Sequence, residues 1–211
     1  RLSPHQKRRS FHRLQHFYMW PLYGLIAVKW QLYDDSFPMA LGPLGTHTLV
    51  RPKGWNLVGF IGGKVFFLGI AFGIPLMLHA WWVVLAFYCL ANLFNGVVLS
   101  TVFQLAHCVG EADFPMPHAE NNTMDSHWAV HQVETTVDFA RSSKVLTWLL
   151  GGLNFQVEHH LFHKICHVHY PALSKVVEQT CRDFEVKYHE HKTFVSGLVS
   201  HFKWLRQMGM A

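Results

Sequence analysis

Residues 65–110 read VFFLGIAFGIPLMLHAWWVVLAFYCLANLFNGVVLSTVFQLAHCVG, 46 consecutive positions between Lys64 and Glu111 without Asp, Glu, Lys or Arg. A helix needs about 20 predominantly apolar residues to cross the hydrocarbon of a bilayer, so this interval has room for two crossings. The first is expected over residues 65–78, approached through 55–63, and it carries Gly69, Gly73 and Pro75. The second is expected over residues 81–106. His79, Ala80, Trp81 and Trp82 make a short turn between them, and Trp is favoured where lipid meets water. The competing reading is a buried helical hairpin in a large soluble protein. The length of the interval and its complete lack of charge weigh against that.

The rest of the composition follows from this gap. Of 211 residues, 50% are hydrophobic and 15% charged, where an ordinary soluble domain carries roughly 25% charged residues. Such a chain is excluded from the disordered class, which needs low hydrophobicity and high net charge. Eighteen basic against 13 acidic residues give a net charge of +5. Nine Lys and Arg lie at or before Lys64, nine lie after His107, and none lies between. A two-helix hairpin returns the chain to its starting side, and the excess of Lys and Arg makes that side cytoplasmic. All 17 histidines except His79 are then expected on that face or at its mouth.

The expected architecture is mostly α: an integral membrane helical hairpin with a cytosolic, helical, histidine-rich cap. Residues 1–64 form a cytosolic or interfacial segment, 65–106 the hairpin and 107–211 the cap. A third apolar run, 17–32, is interrupted by Lys29 and fits a third membrane helix or a helix lying in the headgroup region equally well. Asp34, Asp35, Ser36, Phe37 and Pro38 end it, and residues 41–54 read as loop. A helix is expected around 127–139. A further helix over 171–184 has Pro at its first turn and a stripe of Leu173, Val176, Val177, Thr180 and Phe184. Cys89, Cys108, Cys166 and Cys181 lack CxxC spacing, which supports neither a disulfide framework nor a zinc ribbon. The chain begins with Arg1, and it reads as an internal or C-terminal part of a longer protein.

The densest histidine cluster is NFQVEHHLFH, residues 154–163. On a helix Gln156, His159 and His160 stand at i, i+3 and i+4 and share one face. Adjacent imidazoles differ in direction by about 100°, so they reach two metal centres or brace two sides of one. Imidazole suits Fe, Zn, Cu and Ni. The bland alternative is a pair of solvated surface histidines; the preceding Gly151-Gly152 break and the two membrane helices favour ligands. His107 ends the second membrane helix, where it either anchors at the interface or faces a site just outside the hydrocarbon. His12/His16 and His127/His131 also have i, i+4 spacing but lack the Glu of a zincin motif. His167 and His169 read as surface, and His189 and His191 carry no signal.

These residues also carry a resemblance. GGLNFQVEHHLF (151–162) followed by KICHVHYPALSKVVEQTC (164–181) resembles the third histidine box and C-terminal region of membrane fatty acid desaturases. It is most similar to the front-end or linoleoyl-CoA type, in which that box reads QxxHH instead of HxxHH. HRLQHFYMWPLYGL (12–25) resembles the segment after the second box. FQLAHCVGEADFP (103–115) resembles the end of the last membrane helix, and WAVHQVETTVDFA (128–140) the linker before the third box. His163 departs from the family, which commonly has Pro there. The larger departure is that the family's first two boxes, HxxxH and HxxHH, precede the region where this sequence starts.

The resemblance implies a centre of two nonhaem irons (Fe) with His107, His159 and His160 as ligands. Gln156 stands at the position of a box-three ligand, where an amide oxygen is a weaker donor than imidazole. It also implies O2-dependent insertion of a cis double bond into a fatty acyl substrate, either acyl-CoA or acyl-lipid. An external electron donor of the cytochrome b5 or ferredoxin type and the lipid bilayer are the implied partners, and nucleic acid is not. Without the first two boxes this stretch alone is expected to be inactive. The alternatives are a membrane diiron hydroxylase and a noncatalytic metal- or haem-binding membrane protein. The last of these calls for polar groups within the helices, for which Asn92 and Asn95 are the candidates.

Overall fold

The computed structural model describes residues 1–34 and 52–211; the turn expected at 35–38 and most of the loop expected over 41–54 lie outside them. In chain order the helices are α1 (Gln15–Tyr23), α2 (Ile26–Lys29), α3 (Trp55–Leu78), α4 (Trp81–His107), α5 (Trp128–Glu134), α6 (Lys144–Leu149), α7 (Gln156–Leu161), α8 (Tyr170–Asp183) and α9 (Phe194–Met210). Two-residue strands, β1 (Asp138–Phe139) and β2 (Glu190–His191), pair in parallel. With 65% helix and 2% strand, the class is mostly α. The chain divides into two units, one of Arg1–Met19 with Leu99–Ala211 and the other of Trp20–Val98.

The Trp20–Val98 unit contains the hairpin. α3 has 24 residues and α4 has 27, and both are long and apolar enough to cross a membrane. At 1.5 Å per residue they reach about 36 and about 40 Å, against a hydrocarbon core of about 30 Å. In a soluble protein such helices would be buried. Here no residue of the most apolar 18-residue window of α3 is buried, and Phe66, Met77, Trp81, Phe87 and Phe94 all stand exposed. α3 begins at Trp55 instead of Val65, so Lys64 lies inside it. Lys64 is accommodated because its Nζ donates to the Gln31 carbonyl at 2.8 Å and lies 5.7 Å from the centre of the Phe60 ring. Gly69–Gly73 form a wide π turn immediately before Pro75. A proline ring clashes with the carbonyl four residues earlier, and a widened turn relieves that clash. The turn between α3 and α4 is shorter than expected, because Trp81 and Trp82 are already helical.

The third apolar run is divided. Pro21 lies within α1, Gly24 follows its end, α2 has four residues, and a π turn over Trp30–Asp34 completes the run. Gln31 then ties the unit together. Its Nε2 donates to Asn92 Oδ1 (2.9 Å), and its Oε1 accepts from the Tyr88 hydroxyl (2.8 Å). Asn92 Nδ2 donates to the Tyr88 carbonyl (2.8 Å). In lipid, polar groups must find partners within the protein, and Asn92 is thereby committed to structure. Asn95 is exposed.

The larger unit is built around the segment Val137–Ala140. Its four backbone N–H groups go to four different carbonyls: those of Ala106 (2.9 Å), His189 (3.1 Å), Asn154 (3.0 Å) and His191 (2.8 Å). Phe139 packs with Val102 and Leu105 of α4, while Val157 of α7 packs with Val133 of α5 and with Val177 and Cys181 of α8. The buried face of α8 is Tyr170, Ser174, Val177 and Cys181. The expected stripe is therefore rotated by about one position, leaving Val176 and Phe184 exposed. The helix expected around 127–139 ends at Glu134, since the following residues are drawn into β1. All four cysteines are free thiols.

Within the hairpin unit, a Cβ on Gly96 would fall onto the Gly24 carbonyl and lie 2.7 Å from the Tyr23 carbonyl oxygen. Because that obstacle is backbone, Gly96→Leu is expected to destabilise the unit by about 1–3 kcal/mol. It should lower the thermal unfolding midpoint of the detergent-solubilised protein. Gly59→Ala, inside α3 and with an added Cβ that meets nothing within 4 Å, should not lower the midpoint.

Candidate metal centre

The segment that bears the histidine pair is set by the turn before it. Gly151 and Gly152 both hold positive φ, 57° and 79°, the left-handed region that glycine enters without steric cost. A Cβ on Gly152 would also lie 2.8 Å from that of His167. The turn delivers Asn154 and Phe155 into the core, where both are buried and the Asn154 amide donates to Thr147 Oγ1 at 3.0 Å. α7 starts at the next residue. The first N–H groups of a helix lack intrahelical acceptors, and here Asp138 Oδ1 accepts that of Val157 at 2.9 Å. The Asp138 side chain, from a strand distant in sequence, thus caps the helix.

Asp138 belongs to a buried network. The Tyr188 hydroxyl donates to Asp138 Oδ2 at 2.5 Å and lies 3.1 Å from Glu158 Oε1. Burial and then the neighbouring Asp138 push Glu158 up to about 9, and burial also raises Asp138. Burial and the two carboxyls push the Tyr188 hydroxyl up as well. Arg141 closes the network. Its Nη2 donates to Glu178 (2.9 Å) and Glu190 (2.7 Å), its Nη1 lies 3.3 Å from the Tyr188 hydroxyl, and its guanidinium stacks 5.0 Å from the Tyr188 ring centre.

Against this frame α7 brings His159 and His160 together with His107. The His107 and His160 ring centres are 5.0 Å apart, and those of His159 and His160 are 5.9 Å apart. Each ring has a partner at Nδ1: the Thr135 carbonyl for His107 (3.4 Å), the Tyr170 hydroxyl for His159 (3.4 Å) and Gln132 Oε1 for His160 (2.8 Å). Among the described residues no hydrogen-bond partner is found for the Nε2 atoms of these rings. Burial first, then His107 and His159, pull the His160 imidazole down to about 4. It is neutral at physiological pH, the form a metal requires. Gln156 is 2% exposed, and its Oε1 has no hydrogen-bond partner.

This donor set fits iron: three imidazoles oriented through Nδ1, beside an orphaned buried amide oxygen. Among the described residues no three or more His, Cys, Asp or Glu side chains are already gathered into a group that closes on an ion. The other histidine pairs do not converge. His12 Nδ1 accepts the Arg9 N–H (2.9 Å), while His16 is buried with its ring centre 5.2 Å from that of Phe202. His127 is exposed at the cap of α5. His163, His167 and His169 are exposed. His191 is buried in β2 with its Nε2 3.4 Å from Glu111. The residues that sequence reasoning missed are Gln132, Thr135, Asp138 and Tyr188. The first two adjoin His131 in a segment already singled out for its histidines.

Asp138→Ala removes the acceptor of a buried backbone N–H and is expected to cost about 2–4 kcal/mol in thermal unfolding, with Asp138→Asn in between. A second expectation concerns acid. Burial alone would raise Glu190, but its bond to Arg141, with Lys192 behind it, outweighs this and holds the carboxyl below its ordinary value. A depressed carboxylate contributes stability above the unfolded-state pKa of about 4.3 and loses it as pH falls through the lower folded value. Unfolding midpoints measured between pH 6 and pH 3 should therefore fall, and Arg141→Met should flatten that dependence.

The family model for fatty acid desaturases matches residues 2–192. The chain is 37% identical over its whole length to an sn-1 linoleoyl-lipid 6-desaturase of Synechocystis sp., of which it covers 59%. It is 32% identical to the enzyme of the same name from Arthrospira platensis, again over its whole length and covering 57% of that relative. To an acyl-lipid (8-3)-desaturase of Physcomitrium patens it is 37% identical over its whole length, covering 44%. The chain thus spans about half the length of the curated relatives it matches. No solved structure matches it. With the family model covering nearly all of its residues, the chain belongs to the fatty acid desaturase family.

Proposed function

We propose that this chain forms part of an O2-dependent fatty acyl desaturase that introduces a cis double bond. His107, His159 and His160 hold nonhaem iron through Nε2, and Gln156 contributes its amide oxygen directly or through water. The observation that carries the reading is the trio of imidazoles tied at Nδ1 beside the unpartnered Gln156 Oε1, in a chain of this family. Two irons take more donors than these four, and the reading includes donors from outside the 211 residues. Bound iron supplies the oxidising power that side chains lack. Two hydrogens leave adjacent carbons of an acyl chain, two electrons come from an external donor of the cytochrome b5 or ferredoxin type, two protons come from solvent, and O2 leaves as two waters. The residues of this chain orient the imidazoles and hold the box-three helix against the end of α4. α3 and α4 cross the bilayer as a hairpin, and the distribution of Lys and Arg supports a cytoplasmic location for the histidine cluster, on the side where a soluble donor docks. The acyl substrate, as acyl-CoA or acyl-lipid, enters from the bilayer.

The test is expression of the full chain, meaning the intact protein of which these 211 residues form part, in a host fed defined fatty acids, with lipid products identified by mass spectrometry and iron per chain measured after purification. His159→Ala and His160→Ala should each reduce unsaturated product to background and lower bound iron. His127→Ala, at an exposed position outside the trio, should retain both. Full activity in either box-three variant contradicts the reading, and a hydroxylated product would reassign the chemistry.

A further inference from the structure

A histidine offers a metal only the ring nitrogen that carries no proton, so whatever fixes the proton on one nitrogen selects the other as ligand. The shortest contact to any ring of the trio is that between Gln132 Oε1 and His160 Nδ1, at 2.8 Å. An amide oxygen only accepts, which places the proton on Nδ1 and leaves the Nε2 lone pair free. The carbonyl of Thr135, at i+3 from Gln132, does the same for His107 at longer range (3.4 Å). Thr135 follows the last residue of α5, so the C-terminal end of this helix and its cap present one acceptor to each of two neighbouring imidazoles. These two histidines come from different helices, α4 and α7.

We propose that Gln132 is a positioning residue that fixes His160 as the Nδ1–H tautomer and so presents its Nε2 to the metal. The proposal rests on the metal reading of the site given above. Gln132 touches neither substrate nor metal; it acts through the imidazole. The role needs an acceptor at this position and does not depend on amide chemistry as such. A carboxylate therefore preserves it, while a thioether of similar size and flexibility abolishes it.

The full chain, purified in detergent with 15N-labelled histidine, is compared as wild type, Gln132→Glu and Gln132→Met. Long-range 1H–15N correlation of the metal-free protein reads the His160 tautomer, with His160→Asn identifying the resonance, and titration with ferrous ion reads affinity. Wild type and Gln132→Glu should show the Nδ1–H tautomer alone. Gln132→Met should show both tautomers and bind ferrous ion roughly 10- to 100-fold more weakly, the usual effect of removing such a partner. A wild-type tautomer and affinity in Gln132→Met would overturn the proposal, as would a Gln132→Glu protein that behaves like Gln132→Met. If the wild type takes up no ferrous ion, the metal reading fails, yet the tautomer measurement still decides whether Gln132 controls the ring. If Gln132→Met does not fold, the proposal stands or falls on Gln132→Glu, which must keep both the tautomer and the affinity of wild type.

Discussion

The bond from the Val157 N–H to Asp138 Oδ1, 2.9 Å long and fully buried, is the constraint on which the histidine cluster depends. α7 has six residues, too few to be stable by its own backbone bonds, since isolated helices below about 12–15 residues are marginal in water. What holds it is the Asp138 cap at its start, the Tyr188 hydroxyl set between the Asp138 and Glu158 carboxyls, and the packing of Val157 against α5 and α8. The strand that carries Asp138 is itself bonded to the end of α4 through Ala106 and to the Asn154 turn through Phe139. The same four residues therefore fix where His107 lies and where His159 and His160 lie. The spacing of the three imidazoles follows from that shared strand.

The hairpin obeys a different solvent. Its outward side chains are Phe, Leu, Trp and Met, and its polar groups close on one another: Gln31 with Asn92 and Tyr88, and Lys64 with the Gln31 carbonyl. In a soluble protein the exposed apolar surface would be the anomaly; in lipid an unpartnered amide would be. The close approach of the chain at Gly24 to Gly96 follows the same logic, because small residues let backbones meet where the hydrophobic effect gives no drive to associate.

Much of this was legible from spacing and composition. The charge-free interval located both long helices, and the QVEHH run located α7 together with the face on which Gln156, His159 and His160 stand. The Gly-Gly pair marked the left-handed turn. What was not legible depends on contacts distant in sequence. Apolar residues at 55–63 extend α3 through Lys64 because a carbonyl 33 positions away receives its charge. Val176 and Phe184 face outward because Tyr170 and Cys181 take the inner face of α8. Asp138 reads as an ordinary polar residue until the fold sets a helix terminus against it. His191 gives no local sign that it will be buried in a two-residue strand. Periodicity reports which face is apolar, but it does not report which partner arrives.

The box-three helix is thus a short element held from outside, with His159 and His160 each engaged at Nδ1. The central claim is that iron binds through the Nε2 atoms of those rings. Iron K-edge X-ray absorption of the full chain loaded with ferrous ion tests this most directly. The account expects a first shell of nitrogen and oxygen with the outer-shell scattering of imidazole rings, diminished when His159 and His160 are both replaced by Ala. A chain that retains no iron, a sulfur-dominated shell, or an imidazole signal unchanged in that double variant would contradict it.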